Sequence, residues 1–103
     1  MLLAKNICHH TKNFPQYSAI TNQIQRSAIP IPSNIAEGAS RASSAEFARY
    51  LEISIGSAFE LETQIELSYY FQYIDEENYK QLISDVVSLE KRISSVISKI
   101  RAK

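Results

Sequence analysis

Apolar residues recur every three or four positions along most of this chain, a spacing that predicts helices rather than strands. A first helix is predicted from residue 1 to about residue 12, where Leu3 and Ile7 lie one turn apart. It ends before Pro15, because a proline disfavours helical backbone at the residue that precedes it. At about three turns, this helix is short for a member of a bundle.

The second apolar run begins near Ser18 and continues with spacings of four, four, three and four residues. Its apolar positions are Ile20, Ile24, Ala28, Ile31 and Ile35. Pro30 and Pro32 interrupt the run, and each internal proline costs about 3 kcal/mol because it removes a backbone hydrogen bond. The pattern and the prolines together predict a second helix that is kinked between Ile29 and Pro32 and ends near Gly38.

The longest periodic run predicts a third helix from Ala45 to near Tyr73. Ser43 and Glu46 have the spacing of a capping box at its start. Its apolar arc contains Phe47, Leu51, Ile55, Ala58, Phe59, Leu61, Ile65 and Tyr69. An arc of this width covers more than one neighbouring helix. Gly56 lies within this helix, where the close approach of another helix would favour a glycine.

A fourth helix is predicted to follow Asp75 as its N-cap and to end near Arg101. Its apolar stripe contains Tyr79, Leu82, Val86, Leu89, Ile93, Val96 and Ile100. The turn before it is short, so the third and fourth helices must be antiparallel neighbours. The predicted fold is all-α, an antiparallel up-down four-helix bundle with a Pro-kinked second helix and a short first helix. Residues 1–103 form its single domain.

The composition agrees with a helical fold and excludes several other classes. Two glycines and three prolines in 103 residues are too few for the turns of a β-sandwich or barrel. No apolar run is long enough to cross a membrane, and Cys8 has no second cysteine for a disulfide or a zinc half-site. A lone thiol is typical of a reducing compartment, so we expect a cytoplasmic protein.

Basic and acidic residues balance over the whole chain but not along it. The formal net charge is zero, whereas a general nucleic-acid binder has a strong basic excess. The first 50 residues hold five basic and two acidic residues, and the remainder hold six and nine. Basic residues near the end of the fourth helix form a candidate phosphate-contacting patch: Lys99, Arg101 and Lys103, with Lys91 and Arg92 further in. The alternative is that the cations near the helix end only complement its dipole. A ring of subunits would multiply a weak patch.

Two carboxylates are predicted to face the inside of the bundle. Glu62 lies near the middle of the apolar arc of the third helix, and Glu90 near that of the fourth, at similar heights. Di-metal bundles add Glu-x-x-His motifs to such carboxylates, and this motif is absent, so no metal site is expected. We expect Glu62 to pair with a cation or an amide, because a buried unpaired carboxylate is costly. The candidates are Gln23, Arg26, Asn34 and Arg41.

The chain shows no pattern of nucleophilic catalysis. None of its serines and threonines lies in a predicted strand-turn-helix elbow. His9 and His10 have no carboxylate nearby in the sequence, and adjacent helical residues point about 100° apart, which makes a shared metal unfavourable. We therefore expect neither an enzyme nor a cofactor.

The third helix carries a surplus of aromatic surface near its C-terminal end. The residues are Tyr69, Tyr70, Phe71 and Tyr73. A monomer of this size has few neighbouring elements to cover them, so we expect part of this surface to be buried between subunits. The alternative is that these side chains cap one end of the core.

Two stretches of the chain resemble a known family. Residues 26–38 read RSAIPIPSNIAEG and are followed by Arg41 and Glu46-Phe47, and residues 56–64 read GSAFELETQ. These stretches look like the signature of the four-helix bundle family of 23S rRNA intervening-sequence proteins, also described as S23 ribosomal protein-like. The resemblance runs from about Phe14 to the C-terminus.

This resemblance implies a bundle that assembles with itself into a ring, a homopentamer. It also implies a relationship in fold to the accessory variability protein of diversity-generating retroelements, which works with reverse transcriptase and RNA. It implies no enzymatic activity. The family pattern usually has basic residues near Ser27 and Ala39-Ser40, whereas this chain keeps only Arg41 there.

The resemblance and the charge pattern together define two sets of candidate residues. The candidate nucleic-acid contacts are Arg26, Arg41, Lys91, Arg92, Lys99 and Arg101. The signature positions expected to form a polar network between the second and third helices are Asn34, Glu37, Glu60 and Glu62. We expect a non-enzymatic, ring-forming accessory or assembly protein that contacts RNA or a nucleoprotein. The alternative is a self-associating protein interaction module that binds no nucleic acid.

Overall fold

The computed structural model describes residues 5–7, 19–41 and 43–102. The helices that follow residue 18 are α1 (Ala19–Ala28), α2 (Pro30–Ala39), α3 (Ser44–Tyr70) and α4 (Glu76–Arg101). Residues 5–7 are also helical, and the rest of the predicted first helix, including Cys8, His9 and His10, lies outside the described residues. The described part of the chain contains no strand, which confirms the all-α prediction.

The predicted kink lies at the junction of α1 and α2. Ile29 keeps helical dihedral angles, with φ −63° and ψ −43°, and its N–H donates to the Gln25 carbonyl at 3.1 Å. Pro30 and Pro32 carry no N–H, so two hydrogen bonds of a continuous helix cannot form at this point. The predicted second helix is therefore two ten-residue helices joined at Ile29.

The core lies between α3 and the helices on either side of it. On α3, buried residues recur along most of its length, and the helix packs against α1, α2 and α4. The buried core residues are Ile7, Ile24, Ala28, Ile31, Ala58, Leu61, Ile65, Leu82 and Val86. Ile7 comes from the helical segment 5–7 and the others from α1–α4, and their burial removes apolar surface from water, which is the main source of bundle stability.

The two long helices are antiparallel, as predicted. Near the turn, the rings of Tyr69 on α3 and Tyr79 on α4 stack at 4.3 Å between centroids. At the far end, Glu52 near the start of α3 forms an ion pair with Arg101 at the end of α4. The bundle is elongated, at 45 × 22 × 18 Å, and its long axis follows these two helices.

Side-chain caps begin both long helices at the predicted residues. The Ser43 hydroxyl accepts a hydrogen bond from the Glu46 N–H at 3.1 Å, and this bond opens α3. The Asp75 carboxylate accepts one from the Asn78 N–H at 2.7 Å, and this bond opens α4. Each cap satisfies a backbone donor that has no partner within its helix.

The C-terminal end of α3 comes earlier than predicted. Helix α3 ends at Tyr70, three residues before Tyr73, because Gln72 adopts a positive φ of 63°. The Gln72 N–H donates to the Tyr69 carbonyl and the Tyr73 N–H to the Ser68 carbonyl, both at 2.9 Å. This pair of bonds is a Schellman motif, which usually has glycine at the position of Gln72.

A close helix approach involves Gly38 rather than Gly56. A Cβ atom added to Gly38 on α2 would lie 2.7 Å from the Tyr50 Cβ and 2.9 Å from the Phe47 Cδ1 on α3. A Cβ atom on Gly56 would meet no described atom within 4 Å. The expected close approach at Gly56 is therefore wrong within the described chain, and the glycine that α2 and α3 require is Gly38.

Candidate functional site

Glu62 and Glu90 meet across the interface of α3 and α4. Glu90 is buried, with 7% of its surface exposed, and Glu62 is partly buried. The two carboxyl groups lie near enough to interact. Burial is the main cause that raises the pKa of Glu90 from 4.5 to about 7, and the nearby Glu62 carboxyl group adds to it. The helical wheel therefore placed both carboxyl groups on the inner side of the bundle, as predicted.

The partner of Glu62 differs from the expected cation or amide. Glu62 contacts the carboxyl group of Glu90 instead, because the register of α3 and α4 places both side chains at one height. The Glu90 Oε2 atom is buried and has no hydrogen-bond partner among the described residues. Within the same part of the chain, no group of three His, Cys, Asp or Glu side chains could hold a metal ion.

A groove between α3 and α4 opens beside the carboxyl pair. Its volume is about 460 Å³, and Glu90 is one of the residues that line it. The other lining residues are Ile55, Phe59, Val87, Lys91, Ser94, Ser95 and Ser98. We call this the carboxyl groove. It combines apolar walls with one buried carboxyl group and several hydroxyl groups.

A second polar cluster lies where α2 turns into α3. The Arg41 guanidinium forms an ion pair with Glu37 and donates a hydrogen bond to the Tyr50 hydroxyl at 2.7 Å. It also lies 5.1 Å from the centre of the Tyr50 ring. Tyr50 and Glu37 raise the pKa of Arg41 further above its already high usual value. These contacts fix the Arg41 guanidinium at the surface of the bundle, where it can meet a phosphate.

Arg49 lies between this cluster and the end of α4. It lines a pocket of about 370 Å³ together with Arg41, Glu46, Tyr50 and Ile53. It also lines a pocket of about 490 Å³ that includes Arg101. Arg101 forms an ion pair with Glu52, whereas Arg49 has no ion pair or hydrogen bond to any side chain in the described chain. We call Arg41, Arg49 and Arg101 the basic end of the bundle.

The structure brings only some of the predicted nucleic-acid contacts together. Arg41 and Arg101 lie at the basic end, and Lys99 is two residues from Arg101. Lys91 lines the carboxyl groove instead. Arg26 and Arg92 are exposed and line neither pocket of the basic end. Arg49 is not among the predicted contacts, although the antiparallel register of α3 and α4 places it beside Arg101.

The four residues of the predicted polar network have other partners or face solvent. The Asn34 amide donates to the Pro30 carbonyl of its own helix at 2.8 Å, and Glu37 pairs with Arg41. Glu60 is exposed, and Glu62 contacts Glu90. No hydrogen bond or ion pair between described residues joins the four.

The polar link between α2 and α3 uses a residue that the sequence did not single out. The Ser54 hydroxyl on α3 donates to the Ile31 carbonyl on α2 at 2.9 Å. Both residues are completely buried, so water cannot reach this hydroxyl group. A hydroxyl in such a place needs a protein partner, and the neighbouring helix supplies it.

Large apolar side chains also lie on the outer surface of α3. Ile53, Leu67 and Tyr70 are 53%, 39% and 79% exposed, and their spacing of 14 and three residues places them on one side of the helix. Gly56 shares this side. We call these four residues the α3 stripe. The stacking of Tyr69 on Tyr79 covers one of the predicted aromatics in part, and the others remain exposed or partly exposed.

Comparisons with known proteins agree with this architecture. A family model described as 23S rRNA-intervening sequence protein matches residues 1–95. The chain is similar to the crystal structure of a protein with unknown function from the S23 ribosomal protein family of Bacteroides thetaiotaomicron VPI-5482. The identity is 29%, the match covers 93% of this chain and 89% of that chain, and the TM-score is 0.83. A comparison with curated proteins gives no match.

Proposed function

The chain belongs to the family of 23S rRNA-intervening sequence proteins, and on this premise we propose that it is a non-enzymatic, cytoplasmic accessory or assembly protein. It forms a homopentameric ring and contacts RNA through the basic end. None of the helices in the described residues has both the length and the apolar character needed to cross a membrane. The resemblance to the retroelement accessory protein supports a role beside RNA rather than a catalytic one.

The proposed contact with RNA is based on the basic end of the bundle. Three arginines from the α2–α3 turn, the first turns of α3 and the end of α4 surround two adjoining pockets. Glu37 and Glu52 already pair with Arg41 and Arg101, so Arg49 is the arginine that is most available to a phosphate. Tyr50 offers a flat ring beside Arg41 that suits the stacking of an unpaired base. Glu37, Glu46 and Glu52 offset the three arginines in one chain, and a ring would repeat Arg49, which has no ion pair in the described chain, around its axis.

The α3 stripe supports self-association. Ile53, Leu67 and Tyr70 are exposed in one chain, and their burial against a second copy would remove apolar surface from water. Gly56 lies among them without a nearby described atom, so a helix of another subunit can approach the backbone there. Self-association is therefore the second part of the proposed function, and it does not depend on RNA.

A salt titration of RNA binding tests the basic end. Fluorescence anisotropy with a labelled RNA stem-loop should show an affinity that falls steeply as salt rises, because each arginine–phosphate contact releases counterions. Replacement of Arg49 by Ala should weaken binding and reduce the slope of log K against log salt by about one, since one phosphate is no longer neutralised. The fold should be unaffected, because Arg49 is exposed.

Lys80→Ala is the matched control, because it removes one exposed cation near the start of α4, away from the basic end. It should leave the RNA affinity almost unchanged. An absence of RNA binding at low salt would contradict the RNA proposal and favour the alternative, a self-associating interaction module that binds protein through its exposed apolar residues. That alternative is supported by the α3 stripe alone.

A further inference from the structure

The carboxyl groove contains a charged group that no described side chain neutralises. Glu90 is 7% exposed, lines the groove, and has a buried Oε2 atom without a hydrogen-bond partner in the described chain. The charged residues beside it are Glu62 across the interface on α3 and Lys91, its neighbour on α4. Neither supplies an ion pair, since Glu62 is itself acidic and the Lys91 ammonium lies beyond salt-bridge distance. A buried carboxyl group in this situation needs a donor.

The walls of the groove are apolar, and its hydroxyl groups lie along one line of α4. Ile55 and Phe59 come from α3 and Val87 from α4, and Phe59 is 54% exposed. Ser94 and Ser98 follow Glu90 at intervals of four residues, so the three side chains lie on the same side of α4. The groove therefore places a carboxyl group, hydroxyl groups and apolar carbon within one volume of about 460 Å³. The groove is shallow and open to solvent, and its volume lies within the range of small-molecule sites.

We propose that the carboxyl groove binds a primary ammonium group on a short apolar stem. The ammonium donates to Glu90 and to the hydroxyl group of Ser94, one turn away on α4, while the stem lies against Phe59 and Val87. An ammonium group has three N–H donors and no acceptor, which suits a carboxylate beside a hydroxyl oxygen. The described groove does not offer the three acidic, His or Cys ligands of a metal site.

The raised pKa of Glu90 makes this binding dependent on pH. The raised pKa of Glu90, about 7, means that the side chain is largely protonated at pH 6 and largely ionised at pH 8. An ammonium ion replaces the proton as the partner of the carboxylate. Binding should therefore strengthen as the pH rises from 6 to 8 and should release a proton near pH 7.

The experiment is a calorimetric titration of the full chain with n-butylammonium chloride at pH 6 and pH 8, with n-butanol as the neutral analogue. We expect n-butylammonium to bind more tightly at pH 8, and n-butanol to bind at least about tenfold more weakly at that pH. A second arm uses Nα-acetyl-lysine amide, which presents the same ammonium as a protein side chain. Binding of both compounds supports a lysine of a partner as a source, and binding of n-butylammonium alone supports a free amine.

Variants of the groove decide whether Glu90 is the acceptor. Glu90→Gln keeps the shape of the side chain and should weaken n-butylammonium binding by about tenfold or more at pH 8. Glu66→Gln, a matched change at an exposed position of α3, should leave binding unaltered. Lys91→Gln removes the cation beside the site and should tighten binding. Lys91 is exposed, so this test does not depend on whether the Glu90 variant folds.

Three results would overturn the proposal. They are equal binding of n-butanol and n-butylammonium, an affinity that does not rise with pH, and an affinity that stays the same or falls in Lys91→Gln. Each is independent of RNA binding.

Discussion

At the residue scale, residues of the same type behave differently because their surroundings differ. Eleven acidic residues occur in the chain, and Glu90 is the one described as buried. Exposed carboxylates such as Glu60 remain in water, whereas Glu90 loses solvent and faces a second carboxyl group. Gly38 and Gly56 show the same contrast, because the same residue type is essential in one place and unconstrained in the other.

Glu90 should make the stability of the bundle depend on pH. Its folded pKa of about 7 lies above the ordinary value of 4.5, so the folded state binds the proton more tightly than the unfolded state. The stabilisation is complete below about pH 4.5 and is lost as the pH rises through about 7, up to a total of about 3 kcal/mol. Urea unfolding at pH 5.5 and pH 8, at one protein concentration, should show about 2 kcal/mol of this loss, because the rest has already occurred by pH 5.5.

Glu90→Gln should remove that part of the pH dependence, because a neutral amide does not titrate. Glu66→Gln is the control, and it should unfold with the pH dependence of the wild type. Equal loss of stability between pH 5.5 and pH 8 in the wild type and in Glu90→Gln would show that the carboxyl pair does not govern this pH range.

Gly38→Ala and Gly56→Ala should have opposite effects. The Cβ atom at residue 38 would come within 3.0 Å of atoms of both Tyr50 and Phe47, so overpacking should cost about 1 to 3 kcal/mol. At residue 56 the added Cβ atom meets no described atom, so in the dissociated chain alanine should gain up to about 1 kcal/mol from its higher helix propensity. Thermal unfolding of the two variants measures both changes. A loss of stability in Gly56→Ala would indicate that another subunit packs closely on this residue.

At the scale of the elements, short-range signals determine where the helices begin and how they end. Ser43 and Asp75 cap α3 and α4 with their own side chains, and Pro30 and Pro32 divide α1 from α2. The end of α3 is different, because Gln72 adopts a left-handed conformation that its sequence context does not indicate. The two backbone hydrogen bonds from Gln72 and Tyr73 to the last turn of α3 stabilise this conformation.

Gln72→Gly should stabilise the protein by about 0.5 to 1 kcal/mol. Glycine adopts a positive φ without the steric cost that a Cβ atom imposes, and this gain exceeds the entropy that glycine loses on folding. The variant Gln72→Ala serves as the control, because alanine keeps the Cβ atom and should give no gain. Urea unfolding of both variants measures the difference, and equal stability of the two would show that φ at this residue carries no strain.

At the scale of the whole molecule, a narrow bundle leaves apolar surface uncovered. Helix α3 has neighbours on the sides that face α1, α2 and α4, and the α3 stripe faces away from its core positions. The basic end depends on the same arrangement, because Arg41 follows α2 while α3 and α4 contribute Arg49 and Arg101. Neither surface exists in an isolated helix.

The double variant Ile53→Ser and Leu67→Ser should reduce self-association. Both side chains are exposed in one chain, at 53% and 39%, so their replacement should leave the helical content unchanged while it weakens an apolar contact between subunits. Sedimentation velocity over a range of concentrations measures the oligomer. Val96→Ser, a change at a 39% exposed residue of α4, is the control. An unchanged oligomer in the double variant would place the subunit interface elsewhere on the bundle.

Much of the fold follows from local patterns, whereas the candidate sites follow only in part. Apolar spacing, two caps and two prolines predicted four helices, the kink and the antiparallel pair. The helical wheel also predicted that Glu62 and Glu90 face inward at one height. It did not predict that they contact each other, nor that Ser54 bonds to Ile31. Those contacts depend on the distances between packed helices, which the residue pattern of one helix does not specify.

The sequence by itself determined the helical class, the ends of most helices and the family, because periodicity, caps and prolines act over a few residues. Only the tertiary structure decided that Arg49 lies between Arg41 and Arg101, and that Gly38 rather than Gly56 meets a neighbouring helix. It also decided that the buried Oε2 atom of Glu90 has no donor among the described side chains. The physical reason is that rotation and register between packed helices follow from the fit of all the side chains at once.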